Sequence, residues 1–356
     1  MAEFTGSIFV MTLYDIADEI DLVEMRRLVS STPAAPTFKH TTPEYVKFER
    51  PPVIEPLETL KLKGGEAFSG TIQFYDYGVV SVLLRRNFSG TWMELSEIAA
   101  RWIAGNEIEQ FSGELVRQRL SRVRSALRKP YGNWLFEDYY VFHLSTRPQS
   151  GGEDLLHDCG SQVAQLVNGE VAALSENEIH ETLRARISYY PNDLTVIGWN
   201  AAFIYDTEAG ADSTVRLLEY ANSQLLQFRH YDDVLTRELA DAYRVLERRA
   251  GSPSGWRMRS TAKRLRTLSL EIIQLAERTT NALKFVGDMF SARLYRLAAT
   301  EIGVSEYQSL VHEKLRTADD LYDFMIEQFH QARGFLLELA VVIILVIELA
   351  FLFRGH

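Results

Sequence analysis

The chain has 356 residues, which is room for two domains, and its 46% hydrophobic and 24% charged composition excludes wholesale disorder. A formal net charge of −10 at pH 7 argues against general nucleic-acid binding, although it permits a local basic patch. Cys159 is the single cysteine, so neither an intramolecular disulfide nor a thiolate cage for a metal is expected. A reducing compartment is the natural setting for such a chain.

The N-terminal part alternates strand-like and helical patterns and predicts an α+β head domain over residues 1–208. Ile8–Leu13 predicts a strand, and Asp21–Val29 predicts a short helix. The clearest β pattern covers Thr71–Phe88. Its apolar residues alternate with others on both sides of Asp76–Gly78, as expected for a hairpin or a bulged strand.

Capping boxes mark two helix starts in this head domain. Thr91 and Ser175 are each followed three residues later by a glutamate, the spacing that satisfies two free backbone N–H groups. A further helix is predicted over Glu107–Leu127. Two apolar segments predict additional strands, Tyr139–Leu144 and Leu194–Tyr205.

The pattern then changes, and residues 209–334 predict a helical bundle or coiled-coil stalk. Apolar residues recur at alternating spacings of three and four, which are the a and d positions of heptads. These seams run over Leu218–Leu246, Leu265–Met289 and Val311–Ala332, and the third continues in register into the C-terminal tail.

One polar residue, Asp232, interrupts the first seam. With its neighbours Arg229 and His230 it forms a candidate buried polar seam. A carboxylate at such a position is expected to pair with an arginine of a neighbouring helix, which fixes the helix register at some cost in stability. Pairing is favoured here over catalysis.

The tail is a 19-residue apolar run, Phe335–Phe353, which would extend ~28 Å as a helix, about the thickness of a bilayer's hydrocarbon core. It predicts a transmembrane anchor over residues 335–353. The two acids in the run either mark a helix–helix contact in an oligomer or reach the membrane interfaces. The anchor residues singled out are Phe335, Glu338, Ile343, Val346, Glu348 and Phe353.

A single helix over residues 257–302 would conflict with this anchor. It would lay the basic segment Trp256–Thr267 beside the tail, and basic side chains cannot occupy the bilayer there. Either this helix bends near Thr279–Asn281, or the tail belongs to the core of the bundle. The bend is the preferred interpretation.

No motif for phosphate loops, dinucleotides, zinc proteases or serine hydrolases occurs, so no catalytic residue, cofactor or small-molecule substrate is predicted. Glu327 and His330 form one Glu-x-x-His, but a di-iron bundle needs a second such pair. His157–Cys159 brings three reactive types together in sequence, yet adjacent residues of a helix point in different directions. No metal site is therefore predicted.

Two basic clusters are candidates for an anionic partner. Arg117, Arg124 and Arg128, spaced seven and four apart, are predicted to share one helix face. The stretch 248–270 has seven Arg or Lys residues and no acid. Such faces bind phosphates of RNA or anionic lipid, or they are simply solvated or paired with acids. The candidates in the second cluster are Arg257, Arg259, Lys263, Arg264 and Arg266.

Three stretches resemble the Rmd/YagE family, named for "required for meiotic nuclear division". Phe74–Val80 (FYDYGVV) is similar to its FDYGVVV signature, Ile16–Leu28 to its opening unit, and His312–Tyr322 with the Leu337–Leu349 tail to its C-terminal helix and anchor. The resemblance implies a protein without enzymatic activity that associates with membranes and oligomerises, as mitochondrial members do in support of translation. Leu217–Asp233 departs from the pattern and indicates a divergent bacterial branch.

These features favour a non-enzymatic, tail-anchored membrane protein that contacts membrane lipid, homo-oligomerises and scaffolds or tethers an unidentified protein partner. Its head would face the cytoplasm of a bacterial inner membrane as part of a single-pass protein, because the N-terminus has no secretory or transit signal. A membrane-proximal tether for RNA or the ribosome is the second hypothesis and is not favoured. An enzyme with an unrecognised site in the head is the third.

Overall fold

A computed structural model describes residues 3–29, 46–48, 50–61, 66–146, 151–247, 255–281, 283–285 and 289–354. The chain forms two compact units. Unit 1 comprises Met1–His230 and Glu277–Tyr307, and unit 2 comprises Tyr231–Ala276 and Gln308–His356. The predicted domain limits at residues 208 and 334 stay a prediction.

The described residues contain ten strands, nine α-helices and one short 3-10 helix at Arg124–Ala126. The strands are β1 Phe4–Ile20, β2 Val46–Phe48, β3 Val53–Lys61, β4 Ala67–Phe74, β5 Val79–Gly90, β6 Leu127–Ser145, β7 Arg186–Ile187, β8 Leu194–Ile197, β9 Ala201–Asp206 and β10 Leu283–Phe285. The helices are α1 Leu22–Val29, α2 Trp92–Ala104, α3 Glu107–Arg122, α4 Gly152–Asn168, α5 Glu176–Arg184, α6 Glu208–Glu247, α7 Gly255–Asn281, α8 Met289–Glu301 and α9 Val304–Arg354.

Unit 1 is built on an eight-stranded sheet with the order β3-β4-β5-β1-β6-β9-β8-β7. Its neighbouring strands are antiparallel except β6 and β9, which are parallel and are connected through α4, α5 and the short strands β7 and β8. Helices α2, α3 and α4 pack on one face, where Val10, Phe142, Phe203, Trp102 and Val163 belong to one apolar core. The first part of α6 packs on the other face.

Successive side chains of a strand point to opposite faces of the sheet, so β1 contacts both helix layers. The Tyr14 hydroxyl donates to the Glu109 carbonyl of α3 at 2.9 Å, and the next residue, Asp15, faces α6. This mixed α/β architecture replaces the predicted fold class. The expectation of an α+β head followed by coiled-coil-like helices and a transmembrane helix is wrong, because eight strands form one mixed sheet covered on both sides and no described helix is long and apolar enough to cross a membrane. A separate two-stranded sheet pairs β2 with β10.

Most local predictions in unit 1 are confirmed. The predicted hairpin is β4 and β5, with Ile72 opposite Val82 and a turn that contains Gly78. Thr91 forms the full capping box with Glu94 at the start of α2. The helix predicted to reach Leu127 is shorter, since α3 ends at Arg122.

Unit 2 is a three-helix arrangement formed by the last part of α6, most of α7 and most of α9. Its apolar cluster takes residues from each helix at the predicted seam positions or beside them: Leu239, Ala242, Met258, Ala262, Leu265, Ala318, Leu321 and Met325. The helix predicted over 257–302 does not continue unbroken, because α7 ends at Asn281 and α8 starts at Met289.

The predicted transmembrane anchor is contradicted. Among the residues that the structure describes, no helix is long and apolar enough to cross a membrane. The tail is helical as part of α9, but its two acids, Glu338 and Glu348, leave only nine apolar residues between them, which is about 14 Å of helix. The single-pass location is wrong for the same reason.

Candidate functional site

The middle of α6 has an unusual polar composition for a buried helix. Its polar side chains Glu219, Asn222, Ser223, Gln224 and Gln227 are all at most 3% exposed. Buried polar groups cost stability unless they find hydrogen-bond partners. Glu219, Ser223 and Gln227 find partners on the side of the sheet, and Gln224 contacts Thr279 and Tyr295 on the other side. Asn222 donates to the Leu218 carbonyl of α6 itself.

Glu219 is the centre of the first group of contacts. One of its carboxylate oxygens, Oε2, accepts from Gln73 Nε2 at 2.6 Å, and the other, Oε1, accepts from the Ser81 hydroxyl at 2.6 Å. Arg216, one turn earlier on α6, contributes the opposite charge at 3.1 Å. The carboxylate is thus fully buried, and each of its oxygens has a partner on β4 or β5.

Two tyrosines of the β4–β5 turn extend this contact. The Tyr77 and Ser223 hydroxyls are 2.6 Å apart, and the Tyr75 ring stacks on Tyr77 at 5.2 Å. Burial raises the pKa of both phenols well above the usual value. The turn depends on Gly78, whose φ of +90° suits glycine and whose added Cβ would lie 1.7 Å from the Ala17 carbonyl oxygen.

A second group of contacts surrounds Asp15, which is fully buried beside a register shift between β1 and β6. Gln227 Nε2 donates to Oδ1 at 2.8 Å, and His230 Nδ1 lies 2.8 Å from Oδ2. Burial raises the pKa of Asp15, although the bonds from His230 and Gln227 oppose the rise. The imidazole stacks on Tyr131 at 4.7 Å, and the Tyr131 hydroxyl donates to Asp18 at 2.6 Å.

An imidazole oriented by a buried carboxylate is one component of a general-base site. Here the neighbouring residues also connect α6 to the sheet. Arg229 pairs with Glu137 of β6, so adjacent residues of α6 reach β1 and β6. Burial raises the pKa of Glu137, with the Arg229 charge acting against it. We interpret these contacts as the polar attachment of α6 to the sheet.

The residues of the predicted polar seam are therefore divided between the two units. Arg229 and His230 face the sheet of unit 1. Asp232 belongs to unit 2, where Lys314 of α9 lies 2.5 Å from its carboxylate. Its partner is a lysine and not the expected arginine. The sequence pattern did not indicate Asp15, Gln73, Ser81 or Gln227, because their pairing joins segments far apart in the chain.

The first predicted basic cluster does not share one helix. Arg117 is on α3, with its guanidinium over the Trp134 ring at 5.6 Å. Arg124 is in the 3-10 helix, and Arg128 is on β6, within 3.7 Å of Glu19 and 3.6 Å of Asp21. The helix ends before the spacing of seven and four can place them on one face.

The second basic cluster lies on α7, and acids neutralise part of it. Arg264 is within 2.9 Å of Glu238 and 3.2 Å of Asp241, and Arg266 is 2.6 Å from Asp319. Arg259 lies over the Phe329 ring, and Lys263 is exposed. Residues 248 and 249 and the side chain of Arg257 are outside the described part of the chain.

The apolar tail is exposed where its side chains are described. Every residue from Leu337 to Leu349 is exposed, including Glu338, Ile343, Val346 and Glu348. The side chains of Phe335 and Phe353 lie outside the described residues. Ten leucine, isoleucine and valine side chains are between 44% and 62% exposed in this one stretch of α9. We call Leu337–Leu349 the apolar segment.

The described residues of unit 1 also form an open groove of about 550 Å³ on the sheet edge. Arg85 and Arg86 line it, but Glu66 pairs with Arg86 at 2.9 Å and Glu208 with Arg85. Within the residues described, no group of three or more His, Cys, Asp or Glu could hold a metal ion.

Comparison with known proteins gives one family. The model of the family described as "Uncharacterized protein MJ0711, N-terminal domain" matches residues 5–212. The "Uncharacterized protein MJ0711" of the archaeon Methanocaldococcus jannaschii is 23% identical over 236 residues, which are 66% of this chain and 72% of that protein. No solved structure matches.

These matches overturn the resemblance to the Rmd/YagE family. The FYDYGVV stretch that carries the resemblance forms the end of β4, the buried turn with Gly78, and the start of β5. The expected bacterial branch and bacterial inner membrane are likewise unsupported, because the named relative is archaeal.

Proposed function

The chain belongs to the family of the MJ0711 N-terminal domain, and from the helices that follow that domain we propose that it is a non-catalytic scaffold that assembles with copies of itself. The apolar segment of α9 would be the contact between copies. The observation that carries the proposal is the change from buried to exposed along one seam of one helix.

The seam keeps its register across that change. Val311, Leu315 and Met325 are at most 7% exposed, and Met325 belongs to the apolar cluster that α9 shares with α6 and α7. Ile343 and Val346 occupy the same heptad positions and are 50% and 59% exposed. A partner helix that repeats the packing of unit 2 would cover them, and a second copy of the chain supplies such a helix.

The composition of the apolar segment favours a bundle over a two-stranded coiled coil. Apolar residues occupy all sides of the helix, and a helix that is apolar all round is normally enclosed. Full burial of a Leu, Ile or Val side chain contributes ~1.5–3 kcal/mol, so ten half-exposed ones would contribute on the order of 10 kcal/mol per copy. That is comparable with the 4–15 kcal/mol that association is estimated to cost.

The non-catalytic part of the proposal rests on the partners of three carboxyl groups of unit 1 whose pKa is raised. Burial raises the pKa of Asp15, Glu137 and Asp138, and these carboxyls pair with side chains of the fold, respectively His230, Arg229 and Tyr140. Such pairing is what structural groups show, whereas a catalytic group is presented to a substrate.

The test is the molar mass of the full chain in solution, measured by light scattering coupled to size-exclusion chromatography over a concentration series. We expect an oligomer, and we expect Ile343→Asp with Val346→Asp to convert it to a monomer, because two buried charges per copy would oppose assembly. Ile273→Asp is the matched control, since Ile273 on α7 is 42% exposed and lies outside the apolar segment.

Three results would contradict the proposal. A full chain that is monomeric at all concentrations has no self-association to explain. An oligomer that persists in the double variant assembles through another surface. A monomer that sediments with lipid vesicles has a different occupant for the apolar segment.

A further inference from the structure

A second exposed surface lies on unit 1 and begins at the loop between β7 and β8. Tyr189 and Tyr190 are 62% and 61% exposed, and their rings meet edge to face at 4.7 Å. The Asp193 carboxylate accepts from both of their backbone N–H groups, each at 2.8 Å. The loop is therefore fixed by its own hydrogen bonds, and it holds two large rings in solvent.

Helix α8 continues this surface. Phe290, in its first turn, contacts Tyr189 with the ring centroids 5.1 Å apart. The exposed residues Met289, Arg293, Arg296 and Thr300 follow at spacings of four, three and four, which is one face of a helix. Both arginines therefore point outward from the side of α8 that starts at the tyrosines.

The other end of α8 carries a further aromatic residue. Trp199, in the loop between β8 and β9, is 53% exposed, and its ring lies against Gly303, the second residue after the end of α8. Because α8 packs along β8, the two loops that flank this strand meet opposite ends of the helix. Thirteen residues make α8 ~20 Å long.

The arginines of this surface differ from those of the predicted basic clusters. Arg264 and Arg266 are neutralised by acids of neighbouring helices. Neither Arg293 nor Arg296 has an acidic partner among the residues that the structure describes. Residues three apart on a helix have Cβ atoms about 5–6 Å apart, so the two charges can contact consecutive phosphates of one strand.

We infer that this surface binds single-stranded nucleic acid. Bases would stack on the tyrosines and on Trp199, and the intervening phosphates would contact Arg293 and Arg296. We call these five residues, with Phe290, the aromatic strip. Exposed aromatic rings can stack on unpaired bases, which a duplex does not offer. The positive charge of the two arginines is complementary to a phosphate backbone. The inference does not depend on assembly through α9.

The experiment is fluorescence anisotropy of a labelled oligouridylate with the full chain, at several salt concentrations. We expect the oligonucleotide to bind. The logarithm of the binding constant should fall with the logarithm of the salt concentration with a slope of about −1.4, since two phosphates are neutralised. Tyr189→Ala with Tyr190→Ala should weaken binding by about tenfold or more, because base stacking is lost. Arg293→Gln with Arg296→Gln should abolish the salt dependence.

Two further variants separate stacking from folding. Tyr189→Phe with Tyr190→Phe keeps both rings and should bind as the native chain does. Tyr243→Ala removes a tyrosine of α6 that is 47% exposed and should have no effect. The inference is overturned if the oligonucleotide does not bind at low salt, if the alanine pair binds normally, or if a duplex or polyglutamate competes as well as the single strand.

Discussion

Helices normally bury apolar side chains and expose polar ones. The middle of α6 and the end of α9 depart from this rule in opposite ways. The middle of α6 buries Glu219, Asn222 and Gln227, whereas the end of α9 exposes ten leucine, isoleucine and valine side chains. The polar residues of α6 have found partners within their own unit. The apolar residues of α9 have no such cover. Polar burial here marks a contact that the fold already makes, and apolar exposure is the feature on which the proposed self-association rests.

Removing the central carboxylate would test the first half of this comparison most strongly. Glu219→Ala leaves Gln73 and Ser81 buried without their acceptor, so we expect a loss of about 3–5 kcal/mol in the free energy of unfolding. Chemical denaturation of the full chain measures it. Glu313→Ala, at an exposed position of α9, is the control and should change stability by less than about 0.5 kcal/mol. Equal losses of stability in the two variants would mean that the buried carboxylate of Glu219 contributes no more than an exposed one.

The pH dependence of stability at Asp15 is a second test of polar burial under α6. Burial raises its pKa, so the folded chain holds the proton more tightly than the unfolded chain. The contribution of this carboxyl to stability is complete below its ordinary pKa and is lost as the pH rises through the folded pKa. Relative to Asp15→Asn, the native chain should therefore lose about 1.4 kcal/mol per unit of pKa rise between acid and neutral pH.

Denaturation of both proteins across that range measures the difference. The negative charge of Asp18 adds to the rise in the pKa of Asp15, while His230 and Gln227 oppose it. A difference that does not change with pH would mean that Asp15 is not buried as described.

His143 should show the opposite sign. Burial lowers its pKa below the usual 6.5, and its Nε2 lies 3.0 Å from the Asp206 carbonyl oxygen. Its contribution to stability is complete above pH 6.5 and is lost as the pH falls through that value toward the folded pKa. The native chain should lose about 1 kcal/mol relative to His143→Gln between about pH 7.5 and about pH 5.5. If the native chain instead gained stability relative to His143→Gln as the pH falls, the pKa of His143 would be raised in the folded state and not lowered.

The smallest expected effect concerns the acids of the apolar segment. In the proposed assembly Glu338 and Glu348 bring like charges near one another, and they lie off the seam. Glu338→Gln with Glu348→Gln should strengthen self-association by a few-fold, since repulsion between exposed charges contributes less than about 1 kcal/mol. Sedimentation equilibrium measures the change. Weaker association would show that the acids form favourable contacts.

Sequence patterns predicted much of the local structure. The β4–β5 hairpin, the two N-caps at Thr91 and Ser175, and the extent of α6 are signals carried by neighbouring residues. The weak helix formers at Thr279–Asn281 predict a bend in a helix over 257–302, and the structure ends α7 at Asn281 instead.

The candidate sites were less predictable, for a physical reason. The heptad seam of α6 identifies Leu218 and Leu225 as buried, but a helix covered on two sides also buries the residues between them. Glu219 finds Gln73 at a separation of 146 residues, and no local pattern records such a pairing. The total hydrophobicity of the apolar run of α9 predicts a membrane span, but its two acids leave only nine consecutive apolar residues.

The place of β1 in the sheet has a consequence for synthesis. This first strand pairs along one edge with β5 and along the other with β6, which ends at Ser145. At typical translation rates of ~5–20 residues per second, roughly 6–25 s pass between the completion of β1 and that of β6. During that interval the edge of this 17-residue, largely buried strand that pairs with β6 has no partner strand. We therefore expect the nascent chain to depend on ribosome-bound chaperones, or on slow elongation before Ser145, more than the finished protein does.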